Sequence, residues 1–132
     1  MSAVLDTHAA IWYLLDAKSL SDKVFSLIDT AAASGVPTYI SAVTLVEVVY
    51  LVERGRIIAN AFDRFAQELG KENPAFRVVP LDRDIAGILR TVSRDAVPDM
   101  PDRIIAATAL HLGLPLATRD RRLQAAGLKT IW

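Results

Sequence analysis

The chain has 132 residues, a hydrophobic share of 52%, no cysteine, and 15 basic residues against 15 acidic ones. That length buries a core without covalent staples, the lack of cysteine excludes disulfides and thiolate metal sites, and the balanced charge excludes a uniformly basic nucleic-acid binder. Asp6 arrives before an apolar leader can form, and no run approaches the roughly 20 apolar residues of a membrane span, so the expectation is a cytoplasmic protein without a membrane partner.

In chain order, residues 2–5 read as a short buried strand and 8–15 as a helix that Asp6 or Thr7 caps. A helix over 20–34 takes Ser21 as its N-cap and Gly35 as its stop. Pro37 introduces a strand over 38–40, and helices over 42–53 and 58–69 follow, ending at Gly55 and Gly70. A strand over 77–79 leads to a helix over 82–94 capped by Asp82. The segment 95–101, with Pro98 and Pro101, is the irregular loop before a helix over 102–112 that Gly113 stops. A strand over 114–117, a short helix over 121–126 and a strand over 130–131 complete the chain.

Short apolar strands alternating with helices predict an α/β fold in one domain over 1–132, with a mainly parallel sheet of 4–5 strands covered on both faces. Ligands of such sheets bind beyond the carboxyl ends of the strands. Asp6, Ser41 and Asp120 all fall at that edge.

Four acids stand out. Asp6, between a strand and a helix, is either an N-cap or a ligand. Glu47 is the only charge between residues 42 and 52, in a helix apolar nearly all round and therefore expected to be buried. A buried carboxylate needs a metal or an internal Arg, and the remaining alternative is a narrow solvent strip. Asp102 follows Pro101 at a helix start, where an acid complements the dipole, and Asp99 lies one turn earlier as a cap. Asp120 sits among Arg119, Arg121 and Arg122, as a cap, a solvated charge pair or a ligand.

Two unit negative charges about 4 Å apart repel by roughly 4 kcal/mol at an effective dielectric near 20. If the fold gathers the four acids, they need a cation or retained protons. From residue 103 onward the bases Arg103, Arg119, Arg121, Arg122 and Lys129 face Asp120 alone, a locally basic fringe suited to a polyanion. His8 and His111 are too few for a histidine metal site and read as helix surface or capping contacts. There is no Gly-rich phosphate loop and no Gly-x-Ser-x-Gly elbow, and Asp6-Thr7-His8 lacks the second acid of an aspartyl-phosphate phosphatase.

Five segments, in order, resemble the PIN-domain family and, within it, the VapC-type ribonuclease toxins. They are Val4-Leu5-Asp6-Thr7-His8, Ile40-Ser41-Ala42-Val43-Thr44-Leu45-Val46-Glu47-Val48, Leu51-Val52-Glu53-Arg54-Gly55-Arg56-Ile57, Asp99-Met100-Pro101-Asp102-Arg103-Ile104-Ile105-Ala106-Ala107-Thr108-Ala109 and Leu114-Pro115-Leu116-Ala117-Thr118-Arg119-Asp120. The resemblance implies a three-layer α/β/α sandwich and an acidic quartet of Asp6, Glu47, Asp102 and Asp120, whose fourth position is the least constrained. Asp99 matches an acid of one branch, while Thr7, Ser41 and Thr118 fall where small hydroxyl residues support the site. Val46 stands where similar sequences are often aromatic, a departure expected to touch packing.

By the same resemblance the activity is that of a divalent-metal-dependent endoribonuclease using one or two Mg²⁺ or Mn²⁺ ions. Arg103, Arg119 or Arg121 then anchors substrate phosphates, the alternative being solvated surface arginines. The implied partners are an RNA substrate, a VapB-like antitoxin and a second copy in a toxin homodimer. The apolar surplus in 11–15 and 46–52 suits such interfaces, or else fills the core. Two other readings remain open: a catalytically silent PIN-like module that binds RNA or protein, and a metal-dependent phosphatase or DNA nuclease on a similar sheet.

Overall fold

A computed structural model describes residues 1–132. Five strands, β1 (Val4–Leu5), β2 (Thr38–Ser41), β3 (Phe76–Val79), β4 (Leu116–Ala117) and β5 (Thr130–Ile131), form one sheet in the order β3-β2-β1-β4-β5. Every pairing is parallel. Seven helices fill the connections: α1 (Thr7–Leu14), α2 (Asp22–Ala33), α3 (Ala42–Glu53), α4 (Ala61–Leu69), α5 (Arg83–Leu89), α6 (Met100–Leu112) and α7 (Arg121–Gln124).

The two-residue period of the central strand divides the core. Leu5 points with Ile40 and Phe76 toward α1, α2 and α4, where it meets Ile11, Val24, Ile28 and Phe65. Val4 points with Leu116 to the other face, against Ile85 of α5, Ile104, Ile105 and Ala107 of α6, and Leu123 of α7. These faces make the expected α/β/α sandwich, with the Phe65 and Phe76 rings stacked 5.9 Å apart in the first layer. No helix is long and apolar enough to cross a membrane.

Several boundaries differ from expectation for identifiable reasons. α4 begins at Ala61 rather than 58, because a turn closed by Ala61 N donating to Ile58 O at 3.0 Å carries the chain in first. α5 ends at Leu89 rather than 94. Its last bonds tighten, with Thr91 N donating to Ile88 O at 2.8 Å and Val92 N to Leu89 O at 3.0 Å. Strands β1 and β4 are two residues each, shorter than 2–5 and 114–117. α3 matches its expected span, but it is not buried all round. Val46 is 53% exposed, Val49 37% and Tyr50 55%, so the departure at Val46 touches a surface rather than the core.

From β1 the chain winds outward through β2 and β3, then crosses back to β4 on the opposite side of β1. The strand order therefore reverses between β1 and β4. A crevice opens there beyond the carboxyl ends of the strands.

Candidate active site

Asp6 leaves β1 and becomes the N-cap of α1, its Oδ1 accepting from Ala9 N at 2.8 Å. Leu5 pairs with Ala117 and Asp6 N donates to Ala117 O at 3.1 Å, so Thr118, Arg119 and Asp120 emerge beside Asp6. Asp120 caps α7 by accepting from Arg122 N at 2.8 Å, and its own N–H donates to the Thr118 hydroxyl at 3.0 Å. At the end of β2, buried Ser41 caps α3 by accepting from Val43 N at 3.1 Å. α6 supplies Asp102 in its first turn, and Asp99 is its N-cap, accepting from Asp102 N at 3.1 Å. The capping alternatives for Asp6, Asp99 and Asp120 are therefore real. They do not compete with a site, because each cap engages only one of the two carboxylate oxygens.

All four predicted acids, Asp6, Glu47, Asp102 and Asp120, line one depression of about 450 Å³, and Asp99 joins them. Thr7, His8, Trp12 and Arg119 complete its wall. The Thr7 hydroxyl donates to Glu47 Oε1 and also meets the Thr44 hydroxyl at 3.1 Å, which fixes the Glu47 carboxylate against α1. Glu47 thus sits half-buried on the site face of α3, between its core side and its exposed apolar side.

Burial pushes the Asp6 carboxyl above its ordinary range, and Asp120 adds to this, while the Thr118 hydroxyl and Ala9 N–H pull back. Glu47 is likewise raised by burial first, against the Thr7 hydrogen bond, with Asp99 and Asp6 contributing repulsion. Asp102 is pushed up to about 7 by burial and then by Asp99, Asp120, Glu47 and Asp6. His8 offsets part of this crowding at Asp6 and Glu47, but no cationic side chain forms an ion pair with any of these acids. The only ion pair in the chain is Lys71–Glu68, which stands apart from the depression.

Beside the single His8 imidazole, the donors on offer are hard carboxylate and hydroxyl oxygens, a set that suits a hard divalent cation. Three or more of the acids do not stand as ready ligands around one point. The residues fit such an ion in chemistry and in uncompensated charge.

The arginines separate. The half-buried Arg103 donates through Nη2 to Leu89 O at 3.1 Å and Val92 O at 3.0 Å, closing the end of α5, and its Nε is buried without a partner. It does not line the depression, and its guanidinium is not placed to anchor a phosphate there. Arg121 is exposed on α7 and also lies outside the lining. Arg119 does line it, with its guanidinium carbon 4.5 Å from the centroid of the Trp12 ring. Sequence reasoning missed His8 and Trp12 as site residues. Their signal was weak: His8 follows Asp6-Thr7 directly, and Trp12 lies one helical turn further along the same face of α1.

A profile of the PIN domain matches residues 3–129. The chain belongs to the PIN-domain family. It is 29% identical over 125 residues to ribonuclease VapC22 of Mycobacterium tuberculosis (strain ATCC 25618 / H37Rv), covering 94% of this chain and 91% of that PIN protein. The FitAcB structure from Neisseria gonorrhoeae superposes with a TM-score of 0.65 at 26% identity, over 100% of this chain and 97% of that one. VapBC2 from Rickettsia felis, bound to a DNA fragment from its promoter, shares the PIN fold with a TM-score of 0.73 at 13% identity, over 100% and 98% of the two chains.

Proposed function

We propose that this chain is a divalent-metal-dependent endoribonuclease, the toxin of a VapC-like toxin–antitoxin pair, using one or two Mg²⁺ or Mn²⁺ ions. The observation that carries the reading is the convergence of Asp6, Glu47, Asp102 and Asp120 in one depression with no protein cation paired to any of them. The name of the VapC22 relative supports the ribonuclease assignment.

When bound, such an ion supplies Lewis acidity, making water a better nucleophile near neutral pH and offsetting charge on the phosphoryl oxygens. Asp6, Glu47, Asp102 and Asp120 would hold it. Thr7 orients the Glu47 carboxylate by donating to one of its oxygens, and the Thr118 hydroxyl steadies the start of α7 beneath Asp120. The N-termini of α1, α6 and α7 end at the depression, where backbone N–H groups donate to Asp6, Asp99 and Asp120.

The toxin role brings a VapB-like antitoxin and a toxin homodimer as partners. The VapBC2 structure and a toxin–antitoxin complex from Klebsiella pneumoniae, which share this fold, support the antitoxin partner. So does the exposed apolar face of α3, with Ile58 and Phe62 nearby also exposed, a surface of the kind protein partners cover.

A second reading, a PIN-like module that binds RNA or protein without cleaving it, is favoured by one fact: the acids do not already stand as a ligand set. RNA cleavage with Mg²⁺ or Mn²⁺, with and without EDTA, separates the two. The expected result is metal-dependent cutting by the natural chain and at least about a hundredfold loss in Asp6→Asn, a change that keeps the N-cap. Cutting that survives EDTA, or an unimpaired variant, rules the mechanism out.

A further inference from the structure

Within a wall of five carboxylates, the only hydrophobic side chain is Trp12. Arg119, the only arginine in that wall, is not forked onto any of the neighbouring acids, although such pairing is the usual fate of a guanidinium beside carboxylates. Its guanidinium carbon instead lies 4.5 Å from the centroid of the Trp12 indole. We propose that Trp12 and Arg119 form a platform on which one unpaired nucleobase of the substrate stacks beside the acidic centre. The inference rests on the ribonuclease reading and goes beyond it by assigning the residues that hold a base rather than the phosphate.

Three observations support this assignment. Trp12 is braced, with Trp132 edge-on at 5.9 Å, the His8 ring at 5.5 Å, and its own packing against the core layer of α1. A ring fixed in this way loses little freedom when a base is laid on it. Arg119 is exposed, so the layered pair presents a surface to solvent rather than to protein. The acids of the depression admit a phosphate only where a cation offsets them, whereas a neutral base is attracted to an aromatic or guanidinium plane without one. Base stacking is also tolerant of sequence, which makes the pair a positioning element that spaces the scissile linkage from the acids.

The test uses the full chain carrying Asp6→Asn to prevent cleavage and Trp132→Phe so that Trp12 is the sole tryptophan reporter. Binding is followed by fluorescence in Mg²⁺ buffer with single-stranded hexaribonucleotides of adenosine, cytidine or uridine, and with a ribose-phosphate hexamer lacking bases. The expected result is quenching of Trp12 by the intact hexamers and none by the base-free chain. Arg119→Ala, an exposed position whose change leaves the core untouched, should weaken the intact hexamers by at least about fivefold and leave the affinity for the base-free chain, read by isothermal titration, unaffected. Equal weakening of both makes Arg119 a phosphate anchor and overturns the platform, as does quenching by the base-free chain. Cleavage by the Asp6-bearing chain is read in parallel. Base-dependent quenching without cleavage keeps the platform and removes the nuclease, and cleavage without base-dependent quenching does the reverse.

Discussion

Replacing Asp102 by Asn should stabilise the metal-free protein, with a gain that depends on pH in a defined direction. The Asp102 carboxyl is held at about 7 against its ordinary 3.8, first by burial and then by Asp99, Asp120, Glu47 and Asp6. That displacement sets a ceiling of about 4 kcal/mol on the cost of its charge in the folded state. Asp102 is half-exposed, so solvent screens much of this, and Asn gives up an interaction with the start of α6 worth about 0.3–1 kcal/mol. A net gain of about 1–2 kcal/mol remains, or about 3–6 °C in Tm for a chain of this length. The Asp102 backbone N–H donates to Asp99, and its side chain accepts no hydrogen bond, so the amide breaks none. Because the folded pKa lies above the unfolded one, the native state holds the extra proton between about pH 4 and 7. Stability of the natural chain is therefore greatest at the acid end of that window and falls as pH rises through about 7. The advantage of Asn is full above about pH 7 and fades toward pH 4. Thermal unfolding in EDTA at pH 5 and pH 8 reads this directly, and added Mg²⁺ at pH 8 should reverse the order by stabilising only the natural chain. Equal stabilities at pH 8 in EDTA, or a gain that grows on acidification, would refute the account of a crowded acidic centre.

Thr7→Val removes the hydroxyl that donates to Glu47 while keeping the side-chain shape, and should cost about 10–100-fold in metal affinity and cleavage. Isothermal titration with Mn²⁺ checks it, and an unchanged affinity would remove Thr7 from the site. Arg103→Met strips the donors from Leu89 O and Val92 O and should cost about 1–3 kcal/mol in urea unfolding, with RNA affinity per folded molecule unchanged. A loss of RNA affinity without loss of stability would return Arg103 to the substrate. Phe65→Ala empties a fully buried position stacked on Phe76 and should cost about 3–5 kcal/mol by the same measurement.

The sequence made α3 legible to the residue, because Ser41 and Gly55 punctuate it at both ends and both signals are local. The end of α5 was not legible, because what stops it is a guanidinium from a residue 14 positions away. Asp6 and Asp120 became neighbours on paper from a general rule about strand ends, and the β1–β4 register realises that rule. Trp12 was read as apolar surplus since its meeting with Arg119 depends on how α1 returns over the loop after β4, a tertiary fact with no periodicity to betray it. The same blindness placed Arg103 and Arg119 in one class, although one is spent on backbone carbonyls and the other lies over an indole.

Asp6 performs two tasks with one carboxylate: Oδ1 holds Ala9 N–H at the start of α1 while the group lines the acidic depression. Asp120 does the same for α7. The route by which such a gene decays therefore matters. On the proposed nuclease reading, a change to Asn at either position would silence chemistry yet retain the cap, leaving a folded protein still able to sequester whatever binds its surface. A change to Ala or Val frays the helix as well and exposes the chain to proteolysis. If that reading holds, lineages relieved of the activity would diverge toward an inert but persistent binder or a less stable chain, according to which side chain replaces a single aspartate.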